Sequence, residues 1–144
     1  MKVLFIGGTG NISTSVSRLC IQCGIDLYLL NRGKSGVKIA KAKTIIGDIH
    51  QPQKLAVTLR KHHWDVVVNW IAFTASDIER DIDLLLGKTK QYIFISSASA
   101  YQKPPSHPII TESTPLKNPF WEYSRNKIAG EEKLHLAYRE KNFP

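Results

Sequence analysis

The sequence predicts an α/β protein built on a doubly wound parallel sheet with helices on both faces. Three observations predict it. Short, near-continuous apolar runs alternate with longer stretches of helical periodicity, glycines close the first of those runs, and Val66, Val67 and Val68 form an all-β-branched triplet in mid-chain. A strand covered by helices on both faces meets water on neither, so it reads as a continuous apolar run rather than an alternating one. Right-handed crossovers and the usual doubly wound arrangement give the strand order 3-2-1-4-5.

The elements follow in order. Lys2–Ile6 is an apolar run ending in glycines, a buried first strand. Residues 12–23 form a helix on the spacing of Ile12, Val16, Leu19, Cys20 and Cys23, with Gly24 at its stop. Residues 26–30 are a second strand, closed by Asn31-Arg32-Gly33, and Lys43–Ile46 are a third, ending at Gly47-Asp48. Pro52 and the stripe Leu55, Leu59 and His62 predict a helix over residues 51–63. Residues 66–68 are the fourth strand and 91–95 the fifth. Between them Ile78, Ile82, Leu85 and Leu86 mark a helix whose Asp77, Glu79, Asp81 and Asp83 read as a solvated face. A last helix runs over 121–140.

Residues 102–119 hold Pro104, Pro105, Pro108, Pro115 and Pro119, five of the seven prolines. An irregular segment longer than ~12–15 residues inside a domain is commonly functional. The chain stops after Asn142-Phe143-Pro144, where such a fold would next supply a sixth strand. Residues 1–144 are therefore expected to be one doubly wound domain, truncated before strand six.

Composition excludes several classes. At 144 residues and 42% hydrophobic the chain can bury a core. No apolar run approaches the ~20 residues of a membrane span. Only Val3, Leu4, Phe5 and Ile6 separate Met1-Lys2 from the glycines, too few for the ~7–15-residue core of a signal peptide. Two cysteines make no disulfide scaffold, so the expected location is cytoplasmic. The +8 net charge suits an anionic partner. Lys34, Lys38, Lys41, Lys43, Lys54, Arg60 and Lys61 are scattered, without the basic stripe of a nucleic-acid surface, so RNA is not the expected partner.

Gly7-Gly8-Thr9-Gly10-Asn11-Ile12-Ser13 lies directly after a strand and opens a helix. There small residues let the backbone approach a pyrophosphate and the free N–H groups at the helix start face the anion, so Gly7, Gly8, Thr9, Gly10, Asn11 and Ile12 are candidate dinucleotide ligands. At the end of strand two, a carboxylate ~20 residues beyond the turn would select NAD and an arginine NADP. Asn31-Arg32 stands there, which admits either dinucleotide and leans to NADP. Tyr123 and Lys127 are four residues apart and share a helix face. A phenol beside a positive charge can exchange a proton with a substrate hydroxyl. Ser96, Ser97 and Ser99 follow strand five at its carboxyl edge, where folds of this kind bind ligands.

Together, the turn at residues 7–13, the Ser-Ser-Ala-Ser-Ala-Tyr stretch at 96–101 and Tyr123…Lys127 resemble the NAD-dependent epimerase/dehydratase family of extended short-chain dehydrogenase/reductases. The resemblance spans essentially the whole chain. It implies a Rossmann fold and hydride transfer between a carbinol or keto carbon and nicotinamide, on a substrate of the nucleotide-sugar kind. It also implies Tyr123 as acid/base, Lys127 as its ribose-binding, pKa-lowering partner, Ser97 as the catalytic serine and Ser99 as a substrate contact. Asp48 and Ile49 match the segment that meets the adenine, and Asn69, Ile71 and Ala72 the strand-four segment that lines the cofactor. A dinucleotide, a small-molecule substrate and a second copy of the chain are the partners it allows.

The departures are Ser13 in place of a third glycine, Asn31 in place of an acid, the bulky Trp70 and Ile71, and the lack of any Asn between Thr74 and Lys117. A C-terminal substrate lobe, present in the family, is missing here. A non-catalytic dinucleotide-dependent or RNA-binding module is the alternative. Cys20 and Cys23 have redox spacing but close a helix instead of opening one, so they read as small core residues. His50, His62, His63, His107 and His135 show no zinc spacing, and no metal is expected.

Overall fold

In the computed structural model, which describes Met1–Pro144, five parallel strands make one sheet in the order β3-β2-β1-β4-β5. The elements are β1 (Lys2–Ile6), α1 (Asn11–Gln22), β2 (Asp26–Asn31), β3 (Lys43–Ile46), α2 (Pro52–Arg60), β4 (Val66–Asn69), α3 (Ala75–Leu85), β5 (Tyr92–Phe94), a 3₁₀ turn (Ala98–Ala100) and α4 (Glu122–Lys141). The expected order is met. Central β1 pairs with β2 on one side and β4 on the other, with Ile6 opposite both Leu30 and Asn69. The strands therefore end level with one another, and the loops after β1, β2 and β4 meet along one edge.

The two sheet faces carry separate cores. Leu4, Ile6, Leu30 and Val67 point to the side of α2 and α3, where Leu55, Leu59, Ile78, Ile82 and Leu85 close over them. Val3, Phe5, Leu27, Leu29 and Val68 point to the side of α1. Alternate residues of β1 serve opposite cores, which is why the strand has no polar phase.

Three expectations are corrected. The predicted stripe on α1 is only partly its packing face: Ile12, Leu19 and Cys23 are exposed, Val16 and Cys20 are half-buried against the sheet, and Ser13 and Ser17 are the buried residues. The glycine turn draws the helix so close to β1 that only small side chains fit along that line, and the Ser17 hydroxyl donates to the Gly8 carbonyl at 2.8 Å. Helix α2 ends at Arg60, short of residue 63, as the chain turns to bridge Trp64 to Thr89. Helix α3 ends before Leu86, which is exposed, and its acidic run is no uniform solvated face.

On that run, Asp77 accepts from the N–H groups of Phe73 and Thr74, and the Thr74 hydroxyl accepts in return from the Asp77 N–H, so the first turn of α3 is capped reciprocally. Asp81 is completely buried. The segment 102–119 contains no helix and is tied down by an antiparallel bridge between Tyr101 and Leu116. At the other end of the chain Phe143 is buried and the Tyr92 N–H donates to the Pro144 carbonyl at 2.8 Å.

Candidate active site

A cleft of about 850 Å³ opens along the carboxyl ends of the strands. Its walls are residues 7–13, 30–32, 34, 35, 47–50, 70, 71, 73, 95–97, 123 and 127. It lies at the place where strand order reverses about β1, the usual ligand crevice of an open α/β sheet.

The floor is the turn between β1 and α1. Gly7 and Gly8 both have positive φ, +98° and +100°. A Cβ on Gly8 would stand 2.7 Å from Leu29 Cδ2 and 3.3 Å from Phe5 Cβ, so the turn is made close-packed by the lack of a side chain. Ser13 stands in the third glycine's place, buried, and its hydroxyl accepts from the Gly10 N–H at 2.9 Å. The N–H groups that open α1 have no carbonyl one turn earlier to bond, and no acidic side chain occupies that first turn. These features fit the pyrophosphate of a dinucleotide, whose charge the helix start would face.

Two side walls come from β2 and β3. The Asn31 side-chain oxygen accepts from the Gly33 N–H at 2.9 Å, closing the turn that follows β2, and Arg32 is exposed at the mouth. Asp48 is half-buried and Ile49 buried, both on the cleft wall as expected.

The far wall holds the expected acid/base residues. Tyr123 is half-buried between Phe73 and Trp121, with ring centroids 6.2 and 4.9 Å away. One helical turn on, Lys127 is 2% exposed and its ammonium lies 5.5 Å from the Tyr123 ring centroid. It donates to the carbonyls of Ala72 at 2.7 Å and Ile95 at 2.8 Å, joining the loops after β4 and β5. Burial pushes the Lys127 pKa down, with Asp77 and Glu131 opposing. The Ser97 hydroxyl lines the same cleft and shares a 2.8 Å hydrogen bond with Ser99. The fold thus brings Ser97, Tyr123, Lys127 and the glycine turn to one cavity.

Three of the expected residues stand behind the cleft instead of on it. Ser99 is held by the Ser124 hydroxyl at 2.9 Å, while its carbonyl accepts from the Asn118 side chain at 2.8 Å. Asn69 is fully buried on the opposite strand face, and Ala72 is buried beneath the wall. Period two along β4 explains it: Asn69 shares its face with Val67, toward α3, while Trp70 turns to the α1 side and packs edge-on against Phe5, centroids 5.3 Å apart.

Other contributors went unnoticed in the sequence. Phe73 lines the cleft, Glu131 accepts from the Ser96 hydroxyl, and Asn118 and Ser124 are buried behind Ser99. Asp81 did leave a signal, since it falls on the helical stripe with Ile78, Ile82 and Leu85.

The sheet order, the glycine turn and the cleft at the switch point define a Rossmann-type domain of the nucleotide-binding class. Residues 3–144 match the NAD dependent epimerase/dehydratase family, and the chain belongs to it. Among curated proteins it is 32% identical to a UDP-glucose 4-epimerase of Lactobacillus helveticus, over 95% of this chain and 47% of that protein. It is 28% identical to a dTDP-4-dehydrorhamnose reductase of Salmonella typhimurium, over 96% of this chain and 50% of that one. The chain thus spans about half the length of the curated relatives it matches.

Among solved structures, the UDP-glucose 4-epimerase of Brucella ovis in complex with NAD superposes with a TM-score of 0.86 at 22% identity, covering 99% of this chain and 49% of that one. Pal from Bacillus thuringiensis gives a TM-score of 0.84 at 22% identity, covering 100% and 54%. The lean to NADP finds no support: the family is described as NAD dependent, Asn31 is committed to its own turn, and Arg32 stands exposed. No helix of the structure is long and apolar enough to cross a membrane.

Proposed function

We propose that this chain is the dinucleotide-binding and catalytic half of an NAD-dependent epimerase or reductase acting at a carbinol carbon of a nucleotide sugar. One observation carries the reading: Ser97, Tyr123 and Lys127 line the same cleft as the glycine turn, though they come from three separate parts of the chain. The names of its curated relatives, a UDP-glucose 4-epimerase and a dTDP-4-dehydrorhamnose reductase, supply the substrate class.

In this reading the start of α1 would hold the pyrophosphate, Asp48 would accept from the adenine amino group, Asn31 and Arg32 would hold the adenosine ribose, and Ile71 would line the cofactor, all of them residues of the cleft. NAD, when bound, supplies a nicotinamide that takes up and returns hydride. Tyr123 accepts the hydroxyl proton of the substrate as its carbinol carbon is oxidised and gives it back on reduction. Ser97 donates to the same substrate oxygen and keeps it within reach of the phenol. Lys127 places a positive charge beside the phenol, where it favours the proton-accepting form, and its remaining donor would serve the ribose. The test is calorimetric titration of the full-length protein with NAD and with NADP. Saturable one-to-one binding of NAD, tighter than that of NADP, is the expected result; failure to bind NAD overturns the reading.

A further inference from the structure

Asp81 is the one carboxylate with no exposure at all, and one of its bonds, to Asn69, leads toward the cleft wall. One of its oxygens accepts from Arg80 Nε at 3.1 Å and Nη2 at 2.9 Å. The other accepts from the Tyr92 hydroxyl at 2.6 Å and from the Asn69 side-chain amide. The Asn69 oxygen faces the other way and accepts from the N–H groups of Ile71 and Ala72, both at 2.8 Å. The Ala72 carbonyl in turn receives the Lys127 ammonium at 2.7 Å.

The chemistry of an amide makes this chain directional. An ionised carboxylate can only accept, so it obliges Asn69 to turn its NH₂ toward Asp81. That leaves the carbonyl oxygen, and only that, for two backbone donors. Were the amide reversed, NH₂ would face two N–H groups and both would be orphaned in a buried place. We propose that Asp81 is a positioning residue: by fixing the orientation of the Asn69 amide it shapes the loop after β4 and sets the carbonyl on which Lys127 is held. Burial pushes the Asp81 pKa up, and Arg80, anchored also to Asp77 at 2.7 Å, opposes it together with the donors Tyr92 and Asn69, favouring the charged carboxylate and holding it in place. A leucine at position 81 would continue the apolar stripe of α3 and bury more hydrocarbon, so packing does not account for a carboxylate there.

The test is Asp81→Asn in the full-length protein, read by amide hydrogen exchange and by NAD titration. A neutral amide offers a donor as well as an acceptor, so Asn69 loses its charged acceptor and is held in its orientation by the two N–H groups alone. Exchange at Ile71 and Ala72 is expected to quicken at least tenfold, with the core amides of Leu4 and Val67 unchanged, and NAD to bind at least tenfold more weakly. Tyr92→Phe removes a donor from the same oxygen but leaves Asn69 its partner, so Ile71 and Ala72 should stay within twofold.

Equal acceleration of every amide, or none at Ile71 and Ala72, overturns the inference. Should Asp81→Asn fail to fold, the wild-type protein still decides it, because couplings across the hydrogen bonds from Ile71 N and Ala72 N to the Asn69 side-chain carbonyl carbon must be present. Their absence overturns it. The titration arm rests on the function proposed above; the exchange arm does not, so a protein that binds no NAD fails that reading while the exchange result still stands.

Discussion

Replacing Gly8 by alanine probes how tightly the floor of the cleft is built. Its φ of +100° lies where an L-residue is strained, at a cost of about 1–3 kcal/mol. The added methyl would meet Leu29 Cδ2 at 2.7 Å, and Leu29, 2% exposed, is locked in the core on the α1 face. Relieving such an overlap costs about 1–3 kcal/mol more. Loss of unfolded-state freedom returns about 0.4–1 kcal/mol, so the net effect is roughly 1–5.5 kcal/mol and about 3 at the middle of these ranges, a large part of a typical domain's ~5–15 kcal/mol.

Gly24→Ala is the control. Its φ of +72° is also positive, but nothing lies within 4 Å of the new methyl, so only the conformational part remains. In urea unfolding followed by circular dichroism, with a slope of ~2 kcal/mol/M, the Gly8→Ala midpoint should fall by about 0.5–3 M and that of Gly24→Ala by clearly less. Equal midpoints for the two variants would refute the claim that the turn is close-packed against Leu29.

Two further outcomes follow from single side chains. Burial alone would raise the Asp77 pKa, but the N–H groups of Phe73 and Thr74, together with Arg80, outweigh it and hold the carboxyl at about 2 against an ordinary 3.8. Asp77, 13% exposed, therefore stabilises the fold fully above pH 4 and loses that contribution as pH falls toward 2. The wild type should exceed Asp77→Asn by about 2 kcal/mol at pH 6, and the gap should close between pH 4 and 2 in urea titrations; a gap that persists at pH 2 contradicts the assignment. Ser17→Ala strips the Gly8 carbonyl of its buried donor and should lower stability by about 1 kcal/mol by the same assay, whereas no change would mean that the hydroxyl is dispensable to the approach of α1.

Much of this was legible in the sequence, for identifiable reasons. The strands could be read because burial on both faces removes polar residues from them, and Val66, Val67 and Val68 admit little else. The glycine turn and the Tyr123–Lys127 pair announced themselves because each chemistry needs small residues or a fixed helical spacing. Helix α1 misled because only part of its apolar stripe, Val16 and Cys20, faces the sheet: closeness at the turn demanded Ser13 and Ser17, and periodicity counts hydrophobicity rather than distance.

The positions of Asn69, Ala72 and Ser99 hid behind the same limit. A motif identifies which residues surround a cofactor but not which of them touch it and which hold the others, and here the strand phase of β4 and the bonds to Asp81 and Ser124 decide. Asp81 sat in plain view on an apolar stripe, and the acidic residues around it disguised it as part of a wet surface.

The central claim is that the phenol of Tyr123 handles the substrate proton in a cleft that binds NAD by other groups. Under the function proposed above, turnover of a nucleotide sugar such as UDP-glucose by the full-length protein and its Tyr123→Phe variant, alongside NAD titration of both, tests it most directly. The account predicts a fall in kcat of about 10²–10⁴-fold with NAD affinity unchanged. A variant that turns over as fast as the wild type would contradict it.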